Sequence, residues 1–309
     1  MSTAMQSNQP ADAYPTRLQE EQWLQRKEPT FWGKWNPEAP LTRAQVESFD
    51  KNGYLVLKNV FSPAEVMALQ EESRRMRAGE IELAPDNVIT EPGSDEVRTV
   101  FRLDEQNEVF DRLARDERVA GRVSFLLDDD VYLHQSRLNY KPGFTGKEFY
   151  WHSDFETWHA EDGMPRMRAI SASILLTDND ALNGPLMLMP GSHKTFVACA
   201  GETPEDNHKS SLKKQEIGVP SHESLTEMAR RFGIDYAAGL AGTVILFDCN
   251  TLHGSNGNIT PFPRSNAFFV YNAWSNRVVE PFAASKPRPA FLSARDPKGP
   301  IQIATGKFG

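Results

Sequence analysis

Residues 131–274 hold five short strand-like stretches, separated by turn residues, and this rhythm restricts the fold more than any other feature of the chain. The stretches are 131–139, 168–176, 185–189, 242–248 and 266–274. Asn183-Gly184, Pro190-Gly191 and Asn256-Gly257-Asn258 punctuate them. Many short strands with turns between them imply an antiparallel barrel or jelly roll. Within the first stretch, Val131, Leu133, Gln135, Arg137 and Asn139 are expected on one face and His134 on the other. The first half of the chain reads differently. Thr42 with Gln45, and Ser62 with Pro63 and Glu65, are helix-start signals. Leu41 against Val46 and Phe61 against Val66 serve as the accompanying staples. The second helix is expected to end near Ala78, before Gly79, and Tyr54–Leu57 to form a strand after Asn52-Gly53. The expected fold class is therefore mainly β with flanking helices.

At 309 residues, with 39% hydrophobic and 25% charged residues, the chain is large enough to bury a core without disulfides. The expected organisation is a docked N-terminal arm (1–40), one domain (41–300) and a short tail (301–309). Residues 191–225, poor in apolar side chains, are expected to be a lid or an insertion. Trp23, Phe31, Trp32 and Trp35 are too many large aromatics for a solvated arm. The net charge of −8 argues against nucleic acid or an anionic membrane as partner, but allows a local basic pocket. Cys199 and Cys249 form no paired motif and are expected to be reduced thiols, which fits a cytoplasmic protein. The first six residues carry no secretory pattern, and apolar runs such as Val244–Phe247 are far too short to span a membrane.

His152-Ser153-Asp154 is the candidate metal motif. On an extended chain, residues two apart share a face, so one strand edge can offer an imidazole and a carboxylate to one ion. His253 is the candidate third ligand. Two histidines and one carboxylate on one side of an octahedron form the facial triad of non-haem Fe(II) oxygenases. The H-x-D motif alone is a weak signal, and the other histidines (134, 159, 193, 208, 222) are expected to be structural or solvated. Arg264, eleven residues after His253, adds weight. An Fe(II) oxygenase that consumes 2-oxoglutarate needs a fixed cation for the distal carboxylate, and the guanidinium fork suits it.

The unbroken segment from Tyr150 to Ser171, headed by Trp151-His152-Ser153-Asp154-Phe155-Glu156-Thr157-Trp158, resembles the signature of the ectoine hydroxylases, a branch of the phytanoyl-CoA dioxygenase family. The resemblance continues through His134-Gln135-Ser136-Arg137-Leu138-Asn139, Met189-Pro190-Gly191-Ser192-His193-Lys194 and Asp248 to Asn258, and spans about residues 40–285. It implies a double-stranded β-helix (jelly roll, cupin-like) that uses Fe(II), 2-oxoglutarate and O2. Ectoine, a compatible solute of osmotic stress, would become 5-hydroxyectoine, with release of succinate and CO2. The resemblance places iron on His152, Asp154 and His253, 2-oxoglutarate near Lys141 and Arg264, and ectoine near Gln135 and Trp158. It also suggests a homodimer. An aromatic face at Trp158 suits the amidinium ring of ectoine, and Gln135 offers both a donor and an acceptor. Two alternatives stay open: a family member hydroxylating another small polar amino-acid derivative, and a metal-binding β-barrel without redox chemistry. A structural protein with a decayed site is a third, disfavoured by the intact His152, Asp154, His253 and Arg264.

Overall fold

A computed structural model of the chain describes residues 10–91, 96–212 and 215–307. The expectation for the first six residues lies outside them. The N-terminal helices form where the caps lie. Thr42 and Ser62 each complete a capping box, with Gln45 and Glu65, ahead of α1 (Arg43–Asn52) and α2 (Pro63–Arg77). Gly53, at φ +80°, ends α1 and hands the chain to β2 (Tyr54–Leu57). Ahead of these, β1 (Gln22–Gln25) lies in the arm. After them come β3 (Val88–Thr90), β4 (Val97–Phe101), α3 (Leu103–Gln106), α4 (Glu108–Ala114), α5 (Arg122–Leu127) and β5 (Val131–Lys141). Next are β6 (Phe149–His152), α6 (Asp154–Thr157), β7 (Ala169–Leu175), β8 (Leu186–Leu188) and β9 (Thr195–Ala198). The chain closes with α7 (His208–Ser211), α8 (His222–Phe232), β10 (Asp235–Ala237), β11 (Val244–Asp248), β12 (His253–Ser255) and β13 (Arg264–Ala273).

Seven strands pair antiparallel in the order β2-β11-β7-β13-β5-β4-β3, and four more in the order β10-β8-β12-β6. Both faces of the larger sheet are largely buried. Its outer face, with Ile170, Ala172, Ile174, Leu246 and Phe269, packs on Phe49, Leu69, Phe110 and Leu126 of the helices. Its inner face, with Ala169, Leu175, Ile245, Phe247, Phe268 and Val270, meets Leu186 and Leu188 of the smaller sheet. This two-sided burial is why β7, β11 and β13 read as nearly continuous apolar runs. Each large side chain so buried contributes about 1.5–3 kcal/mol. The result is the expected jelly roll with helices on one side.

The face assignment of the first stretch needs correction. The β5–β13 register pairs Val270 with Gln135 but Tyr271 with Leu133, so a bulge skips His134. A bulge reverses the alternation on its far side. Val131 and Leu133 therefore join the outer core with Leu138, while His134 and Gln135 both serve the interior. A single-residue insertion of this kind leaves no mark in composition or period.

The described part of the arm packs on the body. Tyr14 is fully buried, and β1 pairs with β9. The stretch 191–225 is not uniform: it includes β9, whose Phe196 and Ala198 sit in the inner core, and the start of α8. Cys199 and Cys249 are buried free thiols. Among the described residues, no helix is long and apolar enough to cross a membrane.

Candidate active site

β6 and β12 are antiparallel neighbours in the smaller sheet, and His152 and His253 are direct cross-strand partners. Their rings lie 4.3 Å apart between centroids. Asp154 opens α6, two residues beyond His152. One ligand atom from each of the three lies within 4.8 Å of the others, the one such grouping among the described residues. His152 Nε2 is 3.5 Å and His253 Nε2 3.8 Å from the Asp154 carboxylate. Each imidazole donates its Nδ1 proton to the backbone carbonyl two residues earlier: His152 to Tyr150 at 2.7 Å and His253 to Thr251 at 3.0 Å. The backbone thus fixes the tautomer and leaves both Nε2 lone pairs aimed at one point.

The electrostatics suit a divalent cation. Burial, then the neighbouring His152, pushes the His253 imidazole down to about 4, so it is neutral at physiological pH. Burial opposes the charge on Asp154, but His253, His152 and Arg137 outweigh it and hold the carboxyl well below its ordinary range. Two imidazoles and one carboxylate anion are the donor set of a facial Fe(II) site.

A cavity of about 460 Å³ opens beside this cluster, lined by His152, Asp154, Gln135, Arg137, Trp158 and Arg288 among others. Gln135 donates from Nε2 to the Leu292 carbonyl at 2.8 Å and accepts from Arg137. Trp158 is buried and opens a π-helical turn, Trp158–Asp162, continuing from α6. That turn ends at Gly163, whose φ of +81° and close approach to the Val279 carbonyl admit no side chain.

Lys141 and Arg264 are cross-strand partners at the ends of β5 and β13. Both are buried. Lys141 Nζ donates to Ser255 Oγ at 2.8 Å and to the Asn256 carbonyl. Burial, then Arg264 and Arg98, pushes its ammonium down to about 6. Burial alone pushes Arg264 down to about 10, and its Nε and Nη1 have no hydrogen-bond partner among the described residues. A buried guanidinium with two open donors is an anion site. Neither residue lines the cavity itself; Asn139 and Phe149 do, and Lys141 Nζ sits 5.4 Å from the Phe149 ring centre.

The fold therefore brings together His152, Asp154 and His253, with Gln135 and Trp158 on the adjoining wall and Lys141 with Arg264 behind it. Of the other buried histidines, His159 bonds Asp12 and the Met164 carbonyl and His193 the Asp50 carbonyl, both away from the cluster, while His134 bonds Asp162 beside Trp158. Sequence reasoning missed Arg98, Thr157 and Arg288, which also line the cavity, and gave Arg137 no role. Thr157 and Arg137 sit in segments already singled out, so their neighbourhood was the available signal. Arg288 had none, because it reaches the cavity from a C-terminal stretch without motif or period.

Residues 49–266 match the family model for phytanoyl-CoA dioxygenase. The chain belongs to the phytanoyl-CoA dioxygenase family. Within that family it is 54% identical to the ectoine dioxygenase of Sphingopyxis alaskensis, over 96% of this chain and 97% of the relative. It is 56% identical to the ectoine dioxygenase of Stutzerimonas stutzeri, over 96% and 99%. A crystal structure of EctD from S. alaskensis with 2-oxoglutarate and 5-hydroxyectoine superimposes with a TM-score of 0.88 at 50% identity, covering 96% of this chain and 99% of that one. The same protein with bound Fe gives 0.87 at 49% identity and the same coverage.

Proposed function

We propose that this dioxygenase hydroxylates ectoine to 5-hydroxyectoine, using Fe(II), 2-oxoglutarate and O2 and releasing succinate and CO2, as a step of compatible-solute synthesis. The observation that carries the reading is the convergence of two backbone-held imidazoles and a carboxylate beside a cavity walled by an aromatic ring and guanidinium groups. The near-full-length likeness to proteins named ectoine dioxygenase selects the substrate.

His152, Asp154 and His253 hold the iron in this reading. Bound Fe(II) supplies the chemistry that couples O2 and the decarboxylation of 2-oxoglutarate to hydroxylation of a C–H bond. The remaining work belongs to the chain. Arg264 receives the distal carboxylate of 2-oxoglutarate on its open Nε and Nη1, and Lys141, taking up a proton as that dianion arrives, adds a second positive charge. Trp158 offers its face to the amidinium ring. Gln135 keeps one N–H and one lone pair for the substrate after its bonds to Leu292 and Arg137. Phe247 and Phe268 in the barrel interior keep bulk water from the reacting centre.

The same reading takes 41–300 as one domain, with 1–40 as its arm and 301–309 as its tail. It takes part of 191–225 as a lid, supported by Asn207, Leu212 and Ile217 on the cavity lining. A homodimer belongs to it as well. Phe144, Ile259 and Phe262, all more than two-thirds exposed on adjoining loops, are a surface that two copies would cover. The buried free thiols fit a cytoplasmic location.

The test loads the protein anaerobically with Fe(II) and 2-oxoglutarate, admits air and ectoine, and seeks a singly hydroxylated product by mass spectrometry. Succinate release stimulated by another amino-acid derivative but not by ectoine would move the substrate elsewhere in the family. Absence of O2 uptake with every such compound would end the oxygenase reading.

A further inference from the structure

Asp162 has no task in the reading above, yet it joins two walls of the cavity. It closes the π-helical turn that Trp158 opens, is fully buried, and does not itself line the cavity. Its Oδ1 accepts from Arg288 Nε at 2.7 Å and its Oδ2 from Arg288 Nη2 at 2.5 Å. The same Oδ2 lies 3.0 Å from His134 Nε2. The other ring nitrogen of His134, Nδ1, is buried without a partner among the described residues, so Asp162 is the polar contact that orients this ring. The His134 ring in turn stands edge-on to Trp158, with centroids 5.4 Å apart and planes at 64°. Burial opposes the charge on Asp162, but Arg288 and then His134 outweigh it and hold the carboxyl below its ordinary value. Arg295 ties the Asp162 carbonyl down as well, through Nη1 at 2.9 Å.

We propose that Asp162 is a positioning residue for ectoine, fixing at once the Trp158 ring, through His134, and the Arg288 guanidinium. The proposal rests on the ectoine reading of this cavity. Ectoine is a small rigid zwitterion, with a delocalised cation in its ring and a carboxylate beside it. Recognising both ends requires an aromatic face and a cation at a fixed separation, and a shared anchor sets that separation better than two independent ones. The two-point bond to Nε and Nη2 also fixes the guanidinium plane. Without the carboxylate, Arg288 gains freedom to turn within the cavity, and the His134 ring loses its one polar tether.

The test is Asp162→Asn in the Fe(II)-loaded enzyme. It keeps the volume of the side chain and removes its charge. The KM for ectoine is expected to rise about tenfold or more. The KM for 2-oxoglutarate should stay within about twofold and the iron content should not change, because Arg264 and the triad lie outside this network. Succinate formed per 5-hydroxyectoine should increase, since a loosely held substrate lets 2-oxoglutarate be consumed without product. A lowered melting temperature with unchanged ectoine KM and unchanged succinate ratio would overturn the proposal, as would a parallel rise in both KM values. Should Asp162→Asn fail to fold, His134→Gln leaves the Asp162–Arg288 pair intact and must show the same split at smaller size. Failure of both to fold would assign these residues to stability alone. A wild-type enzyme inactive on ectoine would remove the substrate reading itself, and an active wild type with an indifferent Asp162→Asn would remove only this proposal.

Discussion

The guanidinium of Arg264 is buried with two nitrogens unpaired, an arrangement that costs stability unless an anion completes it. Arg264→Ala should therefore leave iron binding intact and raise the 2-oxoglutarate requirement about tenfold to a hundredfold, the equivalent of a charge-assisted bond of about 1.5–3 kcal/mol. His152→Ala should instead abolish iron retention, and metal analysis of the two variants separates the roles. Lys141 makes a pH prediction. Its folded-state value is lowered to about 6, so between pH 6 and the ordinary lysine range the unfolded chain binds the extra proton. Its contribution to stability therefore improves as pH rises through that window. A dianion arriving beside it reverses the preference. At pH 8, 2-oxoglutarate binding to anaerobic Fe(II)-loaded protein should take up a proton, read by calorimetry in buffers of different ionisation enthalpy. Lys141→Met should abolish that uptake; equal uptake in the variant would place the proton elsewhere.

At the scale of elements, the site is a junction between a strand and a helical turn. β6 delivers His152, α6 delivers Asp154, and the π-helical turn delivers Trp158 and Asp162 within eleven residues. Gly163 makes the exit possible. A Cβ there would lie 2.1 Å from the Val279 carbonyl oxygen, and φ is +81°. Gly163→Ala should cost at least about 1–3 kcal/mol from backbone strain alone, with the carbonyl clash added. Ectoine turnover should fall with it, because the displaced turn carries Trp158. Chemical denaturation and steady-state kinetics on the same preparation test both. An Ala variant with wild-type values in each would show that the turn accommodates the side chain.

For the whole molecule, the arm is part of the architecture that holds the site. Arg26 donates to Asp248 at 2.7 Å, at the end of β11, and to the Met167 carbonyl at 2.8 Å. Asp248 also accepts from the Asn250 amide, so the arm braces the loop that leads to His253. Removing one partner of a buried ion pair strands the other. Arg26→Ala should lower the free energy of unfolding by about 3–5 kcal/mol, measured by denaturant titration. A loss below about 1 kcal/mol would mean that the arm is not anchored through this pair.

Much of this was legible along the chain. The capping boxes at Thr42 and Ser62 and the strand stretches are local patterns that local sterics and hydrogen bonding dictate directly. The H-x-D motif is local too, whereas His253 and Arg264 joined it only as candidates whose meeting rests on strand pairing. The signature segment carried the family. The sequence alone thus determined α1, α2, β2 and the main strands of the jelly roll, and named the candidate side chains for the chemistry. Tertiary structure decided the rest: the bulge that turns His134 inward, the Arg26–Asp248 pair spanning 222 positions, and Arg288 meeting Asp162 across 126. These depend on which surfaces meet once the apolar faces are buried, and no period or propensity in one segment records what another segment brings to it.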